Sequence, residues 1–265
     1  MNGDKGANIV ISNACASGSY AIGEAYRHIQ NNNIDLCLSG GREAPLTRFN
    51  FVAYDAARAL SRRNYSPTEA SRPFDKERDG FVLGEGSAIL VLEELTHARK
   101  RNAHIYAEII GYGANSGAYH IFMPEPNGID AAKAIHLALG DAKINPDEVN
   151  YINAHGTSTT LGDKAETLAI KKVFGEKAYK IAVSSTKSMI GHSLGASGAI
   201  EAVVCALTIE NNVIPPTINY KYKDPECDLD YVPNSARDAK ADIVLSNSFG
   251  FGNCNACLVF KRYVG

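Results

Sequence analysis

Cys15 stands in the run Asn13-Ala-Cys-Ala-Ser-Gly18, between a predicted strand and a predicted helix. The positive end of a helix dipole favours thiolate, so this placement predicts an activated nucleophile. The small neighbours leave room for a substrate and let backbone N–H groups approach a developing oxyanion. The plain alternative is a small buried cysteine that only packs. His155 lies in Asn153-Ala-His-Gly-Thr-Ser-Thr159, just past a second predicted strand. Ligands bind at such strand ends in open α/β sheets, and the two threonines offer hydroxyls to a polar ligand. The alternative there is a capped turn with a satisfied histidine. His192 and Lys187 share the segment from Ser184 to Gly195, which runs into the small-residue helix start Gly195-Ala-Ser-Gly-Ala199. Glu201 follows on that helix and could orient a neighbour, although a glycine-rich connection with a surface lysine fits the same letters. In Asn247-Ser-Phe-Gly-Phe-Gly252, glycines alternate with aromatics, as in a loop that gates an apolar tunnel or in a tight turn whose rings fill the core.

The combination carries more than its parts. One cysteine and two histidines, each in a small-residue loop after a strand, fit a covalent acyl-transfer site. The thiolate takes the acyl group, and neutral imidazoles donate N–H bonds to a carbonyl oxygen that becomes negative. Other signals carry less. Cys254 and Cys257 have metal-ligand spacing, but no second pair completes four-coordinate zinc, and a strand there places the two thiols on opposite faces. No metal site is expected. Gly80, Gly84 and Gly86 do not match the phosphate-binding fingerprint. His28, His97, His104 and His136 fall in helical or polar surroundings and are read as solvated or packed.

Composition narrows the class. The 265 residues are 45% hydrophobic and 21% charged, ordinary globular usage for one large domain or two small ones. With 27 basic against 29 acidic residues, a dedicated nucleic-acid binder is not expected, although a local basic patch is compatible. The longest clean apolar stretch spans only residues 88–92, so no membrane span is expected. Residues 1–6 are polar and do not resemble a signal peptide, so the six cysteines read as reduced intracellular thiols.

Positioning these groups requires alternating elements. Buried strands are predicted over 8–12, 34–39, 87–92, 149–153, 181–183 and 243–246, with helices over 18–29, 128–140, 163–174 and 196–210. Asp163 and Glu166 resemble a capping box that starts the third helix. Residues 103–113 and 255–262 read as antiparallel edge strands, and 220–240 as a turn-rich surface segment. The pattern predicts an α/β fold with covered, largely parallel sheets. A buried strand over 8–12 would need neighbours, so the chain is expected to pair with something else or to be a piece of a longer protein.

The motifs resemble the elongating β-ketoacyl-[acyl-carrier-protein] synthases, type II in particular. The resemblance rests on the Cys15 turn, on Arg72-Pro-Phe-Asp-Lys-Glu-Arg-Asp-Gly-Phe-Val-Leu-Gly-Glu-Gly86, on the runs from Asn153 to Thr159 and Val183 to Met189, on Gly191-His192, on Pro215-Pro-Thr-Ile-Asn219, and on the run from Asn247 to Gly252. It implies a thiolase-like fold of αβαβα layers, with residues 1–110 the remainder of an N-terminal half whose larger part is missing and 111–265 the C-terminal half. It implies a cofactor-free homodimer that condenses malonyl units with a Cys15-bound acyl chain in fatty acid biosynthesis. Acyl carrier protein is the implied partner. His155 and His192 would hold the malonyl thioester oxygen, with Lys187 shaping the field and Glu201 behind it. The N–H groups of Cys15 and Phe251 would form the oxyanion hole, with Phe251 also the gate. Thr157 and Thr159 would hold the phosphopantetheine arm, Phe249 and Gly250 would contact substrate, and Arg58 and Arg62 would meet the acidic carrier. Phe122 and Asn253 depart from the family pattern and bear on substrate fit and loop mobility.

Three alternatives stand beside this reading. One is an inactive remnant or partner subunit that only binds carrier protein, one is a ketosynthase of polyketide synthesis, and one is a thiol hydrolase. No water-activating base stands near Cys15 in the sequence, which disfavours the last. The bacterial cytoplasm is the default compartment, with a plastid-type organelle or mitochondrion if a transit peptide has been lost.

Overall fold

The computed structural model describes residues 6–265. Residues 7–12 enter no helix or strand among the described residues, and Ile9 and Val10 are exposed. The expected first strand is therefore not formed: among the described residues no strand lies beside it to satisfy its backbone groups. The chain then makes helix α1 (Ser17–Gln30), strand β1 (Leu36–Glu43), the short helix α2 (Arg48–Ala56), strand β2 (Gly86–Glu93) and helix α3 (Leu95–Lys100). Strand β3 (Glu108–Ser116), helix α4 (Ile129–Ala142), strand β4 (Tyr151–Asn153), helix α5 (Thr160–Phe174) and strand β5 (Ala182–Ser184) follow. Helix α6 (Lys187–Ile190), helix α7 (Ser197–Asn211), the short strands β6 (Val213–Ile214) and β7 (Arg237–Asp238), β8 (Ile243–Gly250) and β9 (Cys254–Lys261) complete it.

Five strands form the main sheet in the order β3-β9-β8-β4-β5. Strand β4 is parallel to both β5 and β8, whereas β9 is antiparallel to β8 and β3. The sheet is therefore mixed, not largely parallel, because β9 returns directly from β8 through a three-residue turn. A parallel return would need a long crossover. Strands β1 and β2 form a separate antiparallel ribbon, and β6 pairs with β7 in another.

Two apolar clusters flank the main sheet. One joins Ile135 and Leu139 of α4 and Ile170 and Val173 of α5 to Ile152, Leu245 and Val259 of the sheet. The other joins Ile22 of α1 and Ala199, Ala202 and Ile209 of α7 to Tyr151, Val244 and Leu258 on the opposite face. Helices α1 and α7 also cover the inner face of the β1–β2 ribbon, so the layers run α, β, α, β. The ribbon's other face is open: Leu38, Ile89 and Val91 are 57–62% exposed. Its strands alternate rather than being buried on both sides, contrary to the expectation for 34–39 and 87–92.

The units α1–β1–β2 and α7–β8–β9 repeat one design. Each helix is preceded by a residue in the left-handed region, Ala14 at φ 48° and Leu194 at φ 47°. Each is followed by an asparagine at φ 56°, Asn32 and Asn212. The helices cross where Gly18 faces Ala199 and Gly198 faces Ser19; a Cβ on Gly18 would come within 2.6 Å of the Ala199 nitrogen. Only glycine allows the crossing at that distance. Among the described residues one stretch, Leu194–Asn211, is long and apolar enough to cross a membrane by length and composition, with a mean hydropathy of 1.2, which the count of unbroken apolar residues missed. Most of it is buried inside the protein as the central helix.

Candidate active site

The parallel strands β4, β5 and β8 end on the same edge of the main sheet, so their following loops converge there. His155 follows β4, Lys187 and His192 follow β5, and Phe251 follows β8. Helix α1 brings Cys15 to the same place from the neighbouring layer. Cys15, His155, His192, Thr157, Thr159, Arg58, Phe249, Gly250 and Phe251 all line one cavity of about 270 Å³. Lys187 and Glu201 lie buried behind it as an ion pair between the Lys187 Nζ and the Glu201 Oε1. Arg62 does not line the cavity; it is exposed and bonds Asp55 at 2.9 Å.

Cys15 is buried beside Phe81, Leu83 and Leu194, with Phe251 packed against that cluster. Burial pushes its thiol up to about 11, against the pull of the Phe251 backbone N–H and the Lys187 charge. Desolvation thus favours the neutral thiol, and these donors and the Lys187 charge favour the thiolate. Gly250 makes the approach of the β8 loop possible: a Cβ there would sit 3.0 Å from the Asn13 carbonyl oxygen and 3.2 Å from the Cys15 nitrogen. This proximity leaves the Phe251 N–H aimed at the sulfur.

The imidazoles of His155 and His192 meet edge to face, with ring centroids 5.4 Å apart. Burial, the Lys187 charge and, for His155, the neighbouring His192 hold both well below the usual histidine range, so both rings are neutral near pH 7. His192 Nδ1 lies 2.9 Å from Ser197 Oγ, and its Nε2 is buried with no partner among the described residues. His155 Nδ1 is likewise buried without a partner. Phe81 packs edge-on against His192, and Phe249 against His155.

The His155 loop is fixed from beneath by two buried carboxylates on α5. Glu166 accepts from the backbone N–H groups of His155 and Gly156 at 2.8 and 2.7 Å, and from the Asn247 side chain at 3.1 Å. Asp163 accepts from Ser158 and Phe74 N–H groups at 3.1 and 2.7 Å. The expected capping box at these residues is not formed. Thr159 caps α5 instead, accepting from the Gly162 N–H, and the two acids point one turn further into the loop. Sequence reasoning thus missed Glu166 as a site residue; the signal was an acid on the buried face of a helix, seven residues after Thr159. It also missed Ser197 and did not single out Phe81.

Thr157 and Thr159 lie with their hydroxyl oxygens 3.0 Å apart at the mouth. Phe122 packs edge-on against Phe251 and lines the cavity. Asn253 sits at φ 56° and donates to the His120 carbonyl at 2.6 Å, which ties the Phe251 loop to the segment carrying Phe122. Cys254 and Cys257 fall on opposite faces of β9, the first half-buried and the second buried.

Two family profiles match the chain in succession: the β-ketoacyl synthase N-terminal domain over residues 2–98 and the β-ketoacyl synthase C-terminal domain over 106–221. The chain belongs to the β-ketoacyl synthase family. Among curated relatives, the 3-oxoacyl-[acyl-carrier-protein] synthase 2 of Synechocystis is 54% identical over 261 residues, covering 98% of this chain and 63% of that protein. That of Coxiella burnetii is 55% identical over 258 residues, covering 97% of this chain and 62% of that protein. This β-ketoacyl synthase chain therefore spans a little under two thirds of those relatives' length. A β-ketoacyl synthase of Burkholderia phymatum superposes with a TM-score of 0.90 at 46% identity, over 96% of this chain and 61% of that one. A ketosynthase in complex with its type II polyketide acyl-carrier protein superposes with a TM-score of 0.94 at 44% identity, over 96% and 62%. The fold is the thiolase-like architecture of these ketosynthases.

Proposed function

We propose that the protein is a 3-oxoacyl-[acyl-carrier-protein] synthase that joins a Cys15-bound acyl chain to a malonyl unit with loss of carbon dioxide. The observation that carries this reading is the single cavity lined by Cys15, His155 and His192, with the Phe251 N–H on the sulfur. In the first half-reaction the Cys15 sulfur attacks the carrier thioester carbonyl. The Cys15 and Phe251 N–H groups stabilise the oxyanion, and the carrier thiol leaves with the proton that Cys15 gives up. In the second, the malonyl C–CO₂ bond breaks and its electron pair passes to the thioester as an enolate. The neutral His155 and His192 rings donate hydrogen bonds to that oxygen. The enolate carbon then attacks the acyl-Cys15 carbonyl, forming the new carbon–carbon bond and releasing the Cys15 thiolate. Loss of one such donor typically costs about 3 kcal/mol. Lys187, held by Glu201, favours each anionic stage, and Phe251 gates the acyl side. Thr157, Thr159, Phe249 and Gly250 hold the pantetheine arm and acyl unit, and Arg58 and Arg62 meet the acidic carrier.

The partner is acyl carrier protein, supported by the carrier-bound ketosynthase neighbour, and the active form proposed with it is a homodimer. The bacterial relatives support a bacterial cytoplasmic protein. A second reading, a polyketide ketosynthase, draws support from that same neighbour, but the higher identity of the fatty-acid relatives favours the first.

The test is intact mass after incubation with acyl-loaded carrier protein. We expect one acyl adduct on the wild type and none on Cys15→Ala. We expect His155→Ala and His192→Ala to be acylated yet to release carbon dioxide from malonyl carrier at least about a hundredfold more slowly. No adduct with carrier still bound would favour the inactive-partner reading.

A further inference from the structure

Ser197 opens α7 one turn past His192, and its hydroxyl lies 2.9 Å from His192 Nδ1 and 3.2 Å from the hydroxyl of Ser193. All three side chains are buried, between 2 and 3% exposed. The other ring nitrogen, Nε2, is equally buried and has no partner among the described residues, and His192 lines the cavity. A neutral imidazole has one N–H and one bare nitrogen, and the bond made by one nitrogen sets which of them faces the substrate. Ser193 and Ser197 each have a single hydroxyl proton. If both protons point along the row, Ser193 donates to Ser197 and Ser197 donates to Nδ1, which leaves the ring proton on Nε2.

We propose that Ser197, supported by Ser193, is a positioning residue that fixes His192 as the Nε2–H tautomer and so makes it a hydrogen-bond donor toward the cavity. In the opposite row, Nδ1 donates to Ser197 and a bare Nε2 lone pair faces the cavity, where it would repel an enolate oxygen. Lys187 and Glu201 do not fill this role, since they bond to each other. The choice of this row over its opposite rests on the condensing reading above, because the contacts alone allow either direction.

The test separates the two. The full chain is labelled with ¹⁵N-histidine, and the His192 ring signals are assigned by their loss in His192→Gln. The wild type is expected to show Nε2 protonated and Nδ1 bare at pH 7. In Ser197→Ala, a substitution that helices tolerate well, the two forms are expected to mix, with the Nε2–H population ratio falling roughly fivefold, the factor set by one net hydrogen bond. Malonyl decarboxylation should fall in kcat in proportion to the remaining Nε2–H fraction, about twofold where the two forms become equal, with KM unchanged, while the extent of Cys15 acylation stays the same. A wild-type ring protonated on Nδ1, or a Ser197→Ala spectrum identical to the wild type, overturns the proposal. A shifted tautomer in a protein that never releases carbon dioxide would uphold the positioning role and count against the condensing reading.

Discussion

At the scale of single residues, the nucleophile and both histidines of the site are held in their uncharged forms by burial. The Cys15 thiol is pushed up to about 11, and His155 and His192 are held well below the usual histidine range. The consequences for pH have opposite signs. A thiol with a raised pKa gains thiolate as pH rises, so alkylation of Cys15 by iodoacetamide should climb about tenfold per unit from pH 7 to 10 without levelling off. A plateau near pH 8 in the Cys15 adduct, followed by mass, would show that the sulfur is activated in the resting protein after all. Imidazoles with depressed pKa values stay neutral down to acid pH, so the donor pair needs no proton adjustment between pH 8 and 6. The neutral pair lies beside a cation, Lys187, which is why protonating either ring is unfavourable.

At the scale of elements, three loops at the ends of parallel strands and one helix start converge, and much of this was legible in the sequence. Helices over 18–29, 128–140 and 196–210 and strands over 149–153, 181–183 and 243–246 appear within a few residues of their expected bounds, because apolar periodicity reports a buried face directly. What failed depended on neighbours. The run 8–12 has a strand's composition but, among the described residues, no strand beside it, and 34–39 and 87–92 have one open face. The acids Asp163 and Glu166 carry capping letters but turn inward to bond a loop that only the tertiary fold brings near. The approach of the β8 loop to the Cys15 turn depends on one missing methyl group. Gly250→Ala places a Cβ against Asn13, Cys15 and Ala16, so the acylation rate of Cys15 should fall on the order of tenfold through displacement of the Phe251 N–H. Stopped-flow or quenched mass measurements of adduct formation would reveal it, and an unchanged rate would mean the turn yields freely.

At the scale of the whole molecule, the layered stack leaves an apolar surface unprotected. Leu38, Ile89 and Val91 on the ribbon and Phe49 and Val52 on α2 are all more than half exposed. Exposed apolar surface of this kind binds hydrophobic probes. The paired substitution Ile89→Lys and Val91→Lys, both on the open face and away from the cavity, should lower the fluorescence of a bound hydrophobic dye severalfold and reduce light scattering at high protein concentration. Equal dye binding by both proteins would place the sticky surface elsewhere. The repeated helix-and-ribbon design has another effect. The turn before α7 is the counterpart of the Cys15 turn, yet its Gly195 N–H is bonded at 3.3 Å by the Glu43 carboxylate reaching over from β1. A carboxylate on the same chain acts at high effective concentration, so a visiting anion competes poorly for that N–H. Of the two matching berths, the one before α7 is therefore moored shut from within by an acid of the same chain.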